Sequence, residues 1–256
     1  MTIDLFLLRN ALRDAFRPKR LTAAVLLALL PAAIGLLWRS VATKGNFAPA
    51  DAYNSLAASL IFGFILTILS VIYGTGVISQ ELEQRTIVYL LTRPVPRWRI
   101  LLAKFVGSVI AISATVCISA LLLALVVYGP GELGAGQLGR DLRILPVGAL
   151  AYGSLFLFLA TFLPRPLTWG LLFVFGWESW VPNLPGSFAR LSIMTHLRAL
   201  APHPGSAKTA QFLDDFNPDI VRWQAWAVLG GVIFLALLFA IIVFSTKEYA
   251  PREDVE

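Results

Sequence analysis

Apolar residues along this chain gather into long runs, separated by short polar stretches that hold most of the charge. A bilayer core about 30 Å thick needs roughly 20 mostly apolar helical residues, because each advances a helix by about 1.5 Å. Six runs approach that length: Leu21–Trp38, Ser55–Ile78, Phe105–Tyr128, Ile144–Leu163, Leu167–Val181 and Trp223–Phe244. The pattern predicts an all-α, polytopic membrane protein with six transmembrane helices. The first run is longer than a signal-peptide core and lacks an A-x-A-type exit, so it reads as a retained helix. The fifth is short, about 22 Å of helix, and Pro182, Pro185 and Gly186 then break the chain. Helical spacing resumes over Ser187–Leu200, with Phe188, Leu191, Met194, Leu197 and Leu200 on one side. This predicts a re-entrant or outer helical hairpin after the fifth helix. Irregular backbone at membrane depth survives only where protein or a water-filled cavity covers it, which makes the hairpin a candidate outer gate.

Ahead of the first run, Leu5, Leu8, Leu12, Ala15 and Phe16 recur at helical spacing, and Arg9, Arg13 and Arg17 make a second stripe. The segment reads as an amphipathic interfacial helix ended by Pro18, its plainer alternative being a basic anchor for the first span. Basic residues also cluster between the second and third runs, at Arg85, Arg93, Arg97, Arg99 and Lys104, whereas the intervening outer loops carry only Arg39 and Lys44, then Arg140 and Arg143. The asymmetry places both termini in the cytoplasm. One membrane domain over 1–256 is expected, comprising an amphipathic start (1–20), a cytoplasmic segment (80–104) and an outer segment (182–222).

Composition sharpens this picture: 57% hydrophobic and 14% charged residues stand against roughly 45–50% and 25% in soluble domains, which excludes an ordinary soluble enzyme. The net charge of +6 is explained by orientation in a lipid bilayer, with no nucleic acid expected as a partner. A single cysteine, Cys117, forms no intrachain disulfide and no cysteine metal cage. A metal site built on His196, His203 and Asp214 or Asp215 is less favoured than two solvated histidines, so no metal is expected. The chain contains no G-x-x-x-x-G-K-[ST] phosphate loop, no H-E-x-x-H and no G-x-S-x-G. It is therefore expected to bind no cofactor and to catalyse nothing itself.

Two stripes of small residues mark the spans. On the second, Ser55, Ser59, Gly63, Thr67, Ser70 and Gly74 make a small polar face suited either to lining a path or to helix packing. On the third, Ala103, Gly107, Ala111, Thr115 and Ser119 repeat every four residues, the spacing of close packing. Glu178 is the one acid well inside an apolar run; a carboxylate there must be hydrated, paired or protonated. It is a candidate for the gate or for substrate contact, with hydration near the outer interface the alternative, since Pro182 follows four residues later. Trp177 and Trp180 beside it, and Trp223 and Trp226 opening the sixth run, suit an interfacial aromatic belt.

The cytoplasmic segment is the most informative. Glu81 and Glu83 come first, then Arg85, Thr86, Ile87, Val88, Tyr89, Leu90 and Leu91, before Pro94 and Arg97 end it. A helix apolar on one side and charged at its flanks is suited to a groove on another protein; a plain surface loop helix is the alternative. The pattern Glu81, Glu83, Thr86, Leu90-Leu91, Pro94-Val95, Arg97 and Lys104 resembles the signature loop of type-2 ATP-binding-cassette (ABC) transporter permeases. Among these it is similar to the copper-maturation permeases of nitrous oxide reductase. Trp177-Glu178, Pro185-Gly186, Leu191-Ser192 and His196–Leu200 resemble the outer end of the fifth helix in that family. Arg85 departs from it, standing where a small residue is common.

The resemblance implies a permease subunit of the inner membrane of a prokaryote, working as a dimer with ATPase subunits that bind ATP and Mg. It implies that Glu81, Glu83, Arg85, Thr86, Tyr89, Leu90, Leu91, Pro94 and Arg97, with Arg9 and Arg13, couple to the ATPase. Ser59, Thr67, Ser70, Trp177 and Glu178 are the candidates for the substrate path or gate. A non-transporting membrane scaffold that recruits a cytosolic partner is the alternative. An ion-coupled secondary transporter is disfavoured, because no comparable pair of interrupted segments recurs in the two halves.

Overall fold

A computed structural model describes residues 3–15, 18–42, 48–83, 96–131, 136–184, 186–204 and 220–246. All regular structure among them is helical. Helix α1 (Ile3–Ala15) is followed by α2 (Pro18–Val41), which Pro18 opens, where its missing N–H costs nothing. The next crossing is α3 (Pro49–Leu56), a π-helical stretch (Ala57–Ile65) and α4 (Leu66–Glu83), joined end to end. Then come α5 (Arg97–Val127) and α6 (Leu138–Phe162). A short α7 (Pro166–Leu172) runs on as a π-helix (Phe173–Glu178), and two 3-10 turns (Val181–Asn183, Gly186–Leu191) lead to α8 (Ile193–Leu200). Last is α9 (Arg222–Thr246).

Among the described residues, five helices are long and apolar enough to cross a bilayer: Leu21–Val41, Pro49–Ile78, Trp98–Val127, Leu138–Phe162 and Arg222–Thr246. The fifth apolar run falls short of a sixth. It gives only the α7–π-helix rod, about 20 Å long, before Ser179 and Trp180 turn the chain. The expected single helical stripe over 187–200 is likewise split. Ser192 takes an extended conformation and its Oγ accepts the N–H of Thr195, capping a new helix. Met194, Leu197 and Leu200 beyond that cap are buried, whereas Phe188 and Leu191 before it are exposed.

The core lies where α6 meets α4, α5 and α9, around Tyr152, Phe156, Leu66, Ile112 and Leu123. Glycine permits close approach of α4 to the α6 main chain: a Cβ on Gly74 would stand 2.9 Å from Phe156 Cβ and 3.3 Å from the Gly153 carbonyl oxygen. The small-residue stripe on α5 is a packing seam. A Cβ on Gly107 would meet Ala11 of α1 at 3.0 Å, and Ala111 and Ser119 are buried. Tyr73 ties the same end of α1 down by donating its hydroxyl to the Ala15 carbonyl at 3.3 Å. Arg9 and Arg13 are exposed. The end of the bundle that carries α1 is called proximal below, the other distal.

Candidate functional site

Contacts along α6 set the register of the broken segment. From the proximal end, α7 turns back antiparallel to α6: Gly170 lies beside Phe156, Phe173 meets Phe156 edge-on at 6.0 Å, and Glu178 reaches Tyr152. There α8 takes over. Leu197 packs at Gly148 and His203 reaches Asp141, so the second piece continues along α6 to its distal end. Tyr152 sits midway in α6, about 16 Å of helix from Asp141. The two pieces thus cover α6 end to end, and they meet at Glu178.

Glu178 is only 6% exposed. Its Oε1 accepts the Tyr152 hydroxyl, the Ser192 hydroxyl at 2.8 Å and the Met194 backbone N–H at 2.6 Å. A carboxylate at the N-terminus of α8 is favoured by the helix dipole and by donors aimed at it. The Arg198 guanidinium, one turn beyond Met194, adds electrostatic attraction to Glu178. Oε2 is buried without a partner among the described residues. Protein donors therefore surround Oε1 of Glu178.

A second buried acid escaped the sequence reading. Asp141, in the first turn of α6 and 1% exposed, accepts the Tyr53 hydroxyl at 2.8 Å and lies 3.1 Å from His203 Nε2 through the same Oδ2. Burial and then the Asp141 charge raise the Tyr128 phenol above its ordinary value, and Tyr128 packs on Tyr53 at 5.4 Å. Phe62 contacts the His203 ring edge-on at 5.2 Å, and Asn54 Nδ2 donates to the Pro204 carbonyl at 3.0 Å. His196 is buried too, its Nδ1 2.9 Å from the Ser192 carbonyl. The expectation of solvated histidines fails for both, because α8 lies inside the bundle and the His203 side chain beyond it is covered by Asp141 and Phe62. No group of three metal-ligating side chains occurs among the described residues.

Residues 6–249 match the family described as "ABC-2 family transporter protein". The chain belongs to that family. Over 133 residues, covering 49% of this chain and 47% of the relative, it is 35% identical to the "Probable ABC transporter permease protein NosY" of Stutzerimonas stutzeri. The match thus spans about half the length of that relative.

Within this ABC-2 chain the remaining candidates divide. Ser59 is exposed, its hydroxyl bonded back to the Ser55 carbonyl at 2.6 Å. Thr67 and Ser70 are buried in helix packing, Thr67 donating to the Gly63 carbonyl at 2.8 Å. The polar face of the second span is therefore open only in its distal half. Trp177 is exposed and stacks on Phe173 at 6.5 Å, and Trp180, Trp223 and Trp226 are exposed as well. Glu81 and Glu83 end α4 and Arg97 opens α5. Arg85, Thr86, Tyr89, Leu90, Leu91 and Pro94 lie outside the described residues, as do Asp214 and Asp215.

Proposed function

We propose that this chain is the membrane permease subunit of an ABC transporter, driven by ATP hydrolysis on a partner ATPase that holds the ATP and Mg. The observation that carries the reading is the family match across 6–249, joined to a sequence with no phosphate loop of its own. In this reading the proximal end is cytoplasmic, and the α7 rod and α8 together make a sixth, broken crossing whose exposed backbone is covered by α6 and α4. The membrane is the inner membrane of a prokaryote. Two copies enclose the path, with the distal, open face of the second span and Trp177 lining it, and transport runs outward.

Coupling enters at the proximal end. The segment 80–104 and α1 offer the ATPase a charged and apolar contact through Glu81, Glu83, Leu90, Leu91, Arg97, Arg9 and Arg13. Because α1 is seated on α5 at Gly107 and on Tyr73 of α4, a push on α1 reaches both helices as a rigid-body shift. The test is co-expression with a candidate ATPase and measurement of ATP turnover by the purified complex. Leu90→Asp or a charge reversal at Glu81 is expected to abolish stimulated turnover while the chain still inserts. Normal turnover in both variants contradicts the reading, and a stable complex without any ATPase points to a scaffold instead.

A further inference from the structure

We infer that the segment Ser192–Pro204 is a latched gate: Glu178 is the latch that holds its inner end, and Asp141 with Asn54 is the hinge that holds its outer end. The inference deepens the transporter reading above and rests on it for the gate's purpose, though not for the latch itself. The segment is gripped by polar side chains at its two ends. Ser192 and Met194 are held by Glu178 Oε1, and His203 and Pro204 by Asp141 Oδ2 and Asn54 Nδ2. Between these ends it buries Ile193, Met194, Leu197 and Leu200 among the core side chains, with Met194 Cε 3.8 Å from the Cβ position of Gly63 and Leu197 Cδ1 3.1 Å from that of Gly148. Apolar contact of this kind is non-directional, so the polar groups at the two ends fix where the segment sits.

Unpartnered buried atoms concentrate at the same place. Among the described residues, six buried side-chain polar atoms have no hydrogen-bond partner, and four of them belong to this segment or its anchors: Asn54 Oδ1, Asp141 Oδ1, Glu178 Oε2 and Thr195 Oγ1. A buried acceptor without a donor is penalised in the closed form and relieved as soon as water enters. Opening therefore wets oxygens that closure leaves dry, which lowers the cost of opening relative to a fully satisfied helix pair. The two ends differ in what they are attached to. Asp141 and Asn54 stand at the distal ends of long helices, whereas Glu178 ends the α7 rod, which begins at the proximal end. A displacement of that rod moves the Glu178 carboxylate away from Tyr152 and from the α8 N-terminus together, and the segment swings about His203 and Pro204.

The experiment reads accessibility, which needs no ATPase. In the full chain carrying Cys117→Ser, in nanodiscs, the near-isosteric Thr195→Cys reports on the segment and Ala120→Cys, fully buried on α5, on the bundle. Labelling by a membrane-impermeant maleimide is expected to be slow at both positions. Adding Glu178→Ala is expected to speed labelling at position 195 by about tenfold or more, with position 120 unchanged, as local opening of one element requires. Glu178→Gln, which keeps an Oε1 acceptor for Ser192 and Met194, is expected to stay within about threefold of the parent. Equal rates at position 195 with and without Glu178→Ala overturn the latch. So does acceleration at both positions, which means that the whole bundle has loosened. A complex with no ATPase, alongside the expected labelling pattern, removes the transporter reading and leaves the latch standing.

Discussion

Glu178 shows how one side chain holds two half-length helices in register. Three donors converge on a single oxygen, and two of them come from the cap and first turn of α8. Removing the acceptor strands those donors in a dry site at about 1–3 kcal/mol each. Glu178→Ala is expected to cost upwards of about 3 kcal/mol, and Tyr152→Phe, which removes one donor and leaves two bonds, about 1 kcal/mol. Thermal unfolding in detergent checks the order; equal effects would show that the hydroxyl alone holds the site. The sequence marked Glu178 as exceptional because an acid in an apolar run is conspicuous. It left Asp141 unmarked, since Asp141 sits among Arg140, Leu142 and Arg143 and reads as loop. Its partners Tyr53 and His203 lie 88 and 62 residues away, and burial arising from contacts that distant leaves no trace in local periodicity. The histidines were misread for the same reason.

Among elements, long apolar helices are legible in the sequence, and so is a break after the fifth run near Pro182 and Gly186; the further split within 187–200 is not. Hydrophobic length alone marks α2, the second span, α5, α6 and α9, because a bilayer demands it. The split of the segment after the fifth run depends on Ser192 capping α8 and on α6 offering Tyr152 and Gly148 as seats, which only the assembled bundle supplies. Packing at glycine gives two sharp expectations. Gly74→Ala drives a methyl into Phe156 Cβ and the Gly153 carbonyl, both on the α6 main chain or next to it, and is expected to cost about 1–3 kcal/mol. Gly139→Ala, with nothing within 4 Å of its Cβ position, is expected to be neutral or to gain up to about 1 kcal/mol. Gly107→Val is expected to unseat α1, since its Cβ position already lies 3.1 Å from the Ala11 carbonyl carbon. Faster tryptic cleavage at Arg9 and Arg13, with the rest of the chain resistant, is the readout; unchanged cleavage would show that Tyr73 alone secures α1.

At the scale of the whole molecule, the bundle has a rigid spine and a divided partner. Helix α6 runs unbroken, tied to α4 and α5 by close contacts at Gly74, Gly148 and Gly153. Beside it the α7 rod and α8 abut at a carboxylate, so motion entering at the proximal end meets one polar joint before the distal end. In the proposed reading, α1 packed on α5 and the segment 80–104 between the second and third spans receive the input at that end. The most direct test is ATP turnover by the purified complex of this chain with its ATPase, compared between the parent and Leu90→Asp at equal insertion. The account predicts that the parent chain stimulates turnover and that the variant does not. Equal turnover, or a parent chain that transports with no ATPase bound, would contradict it.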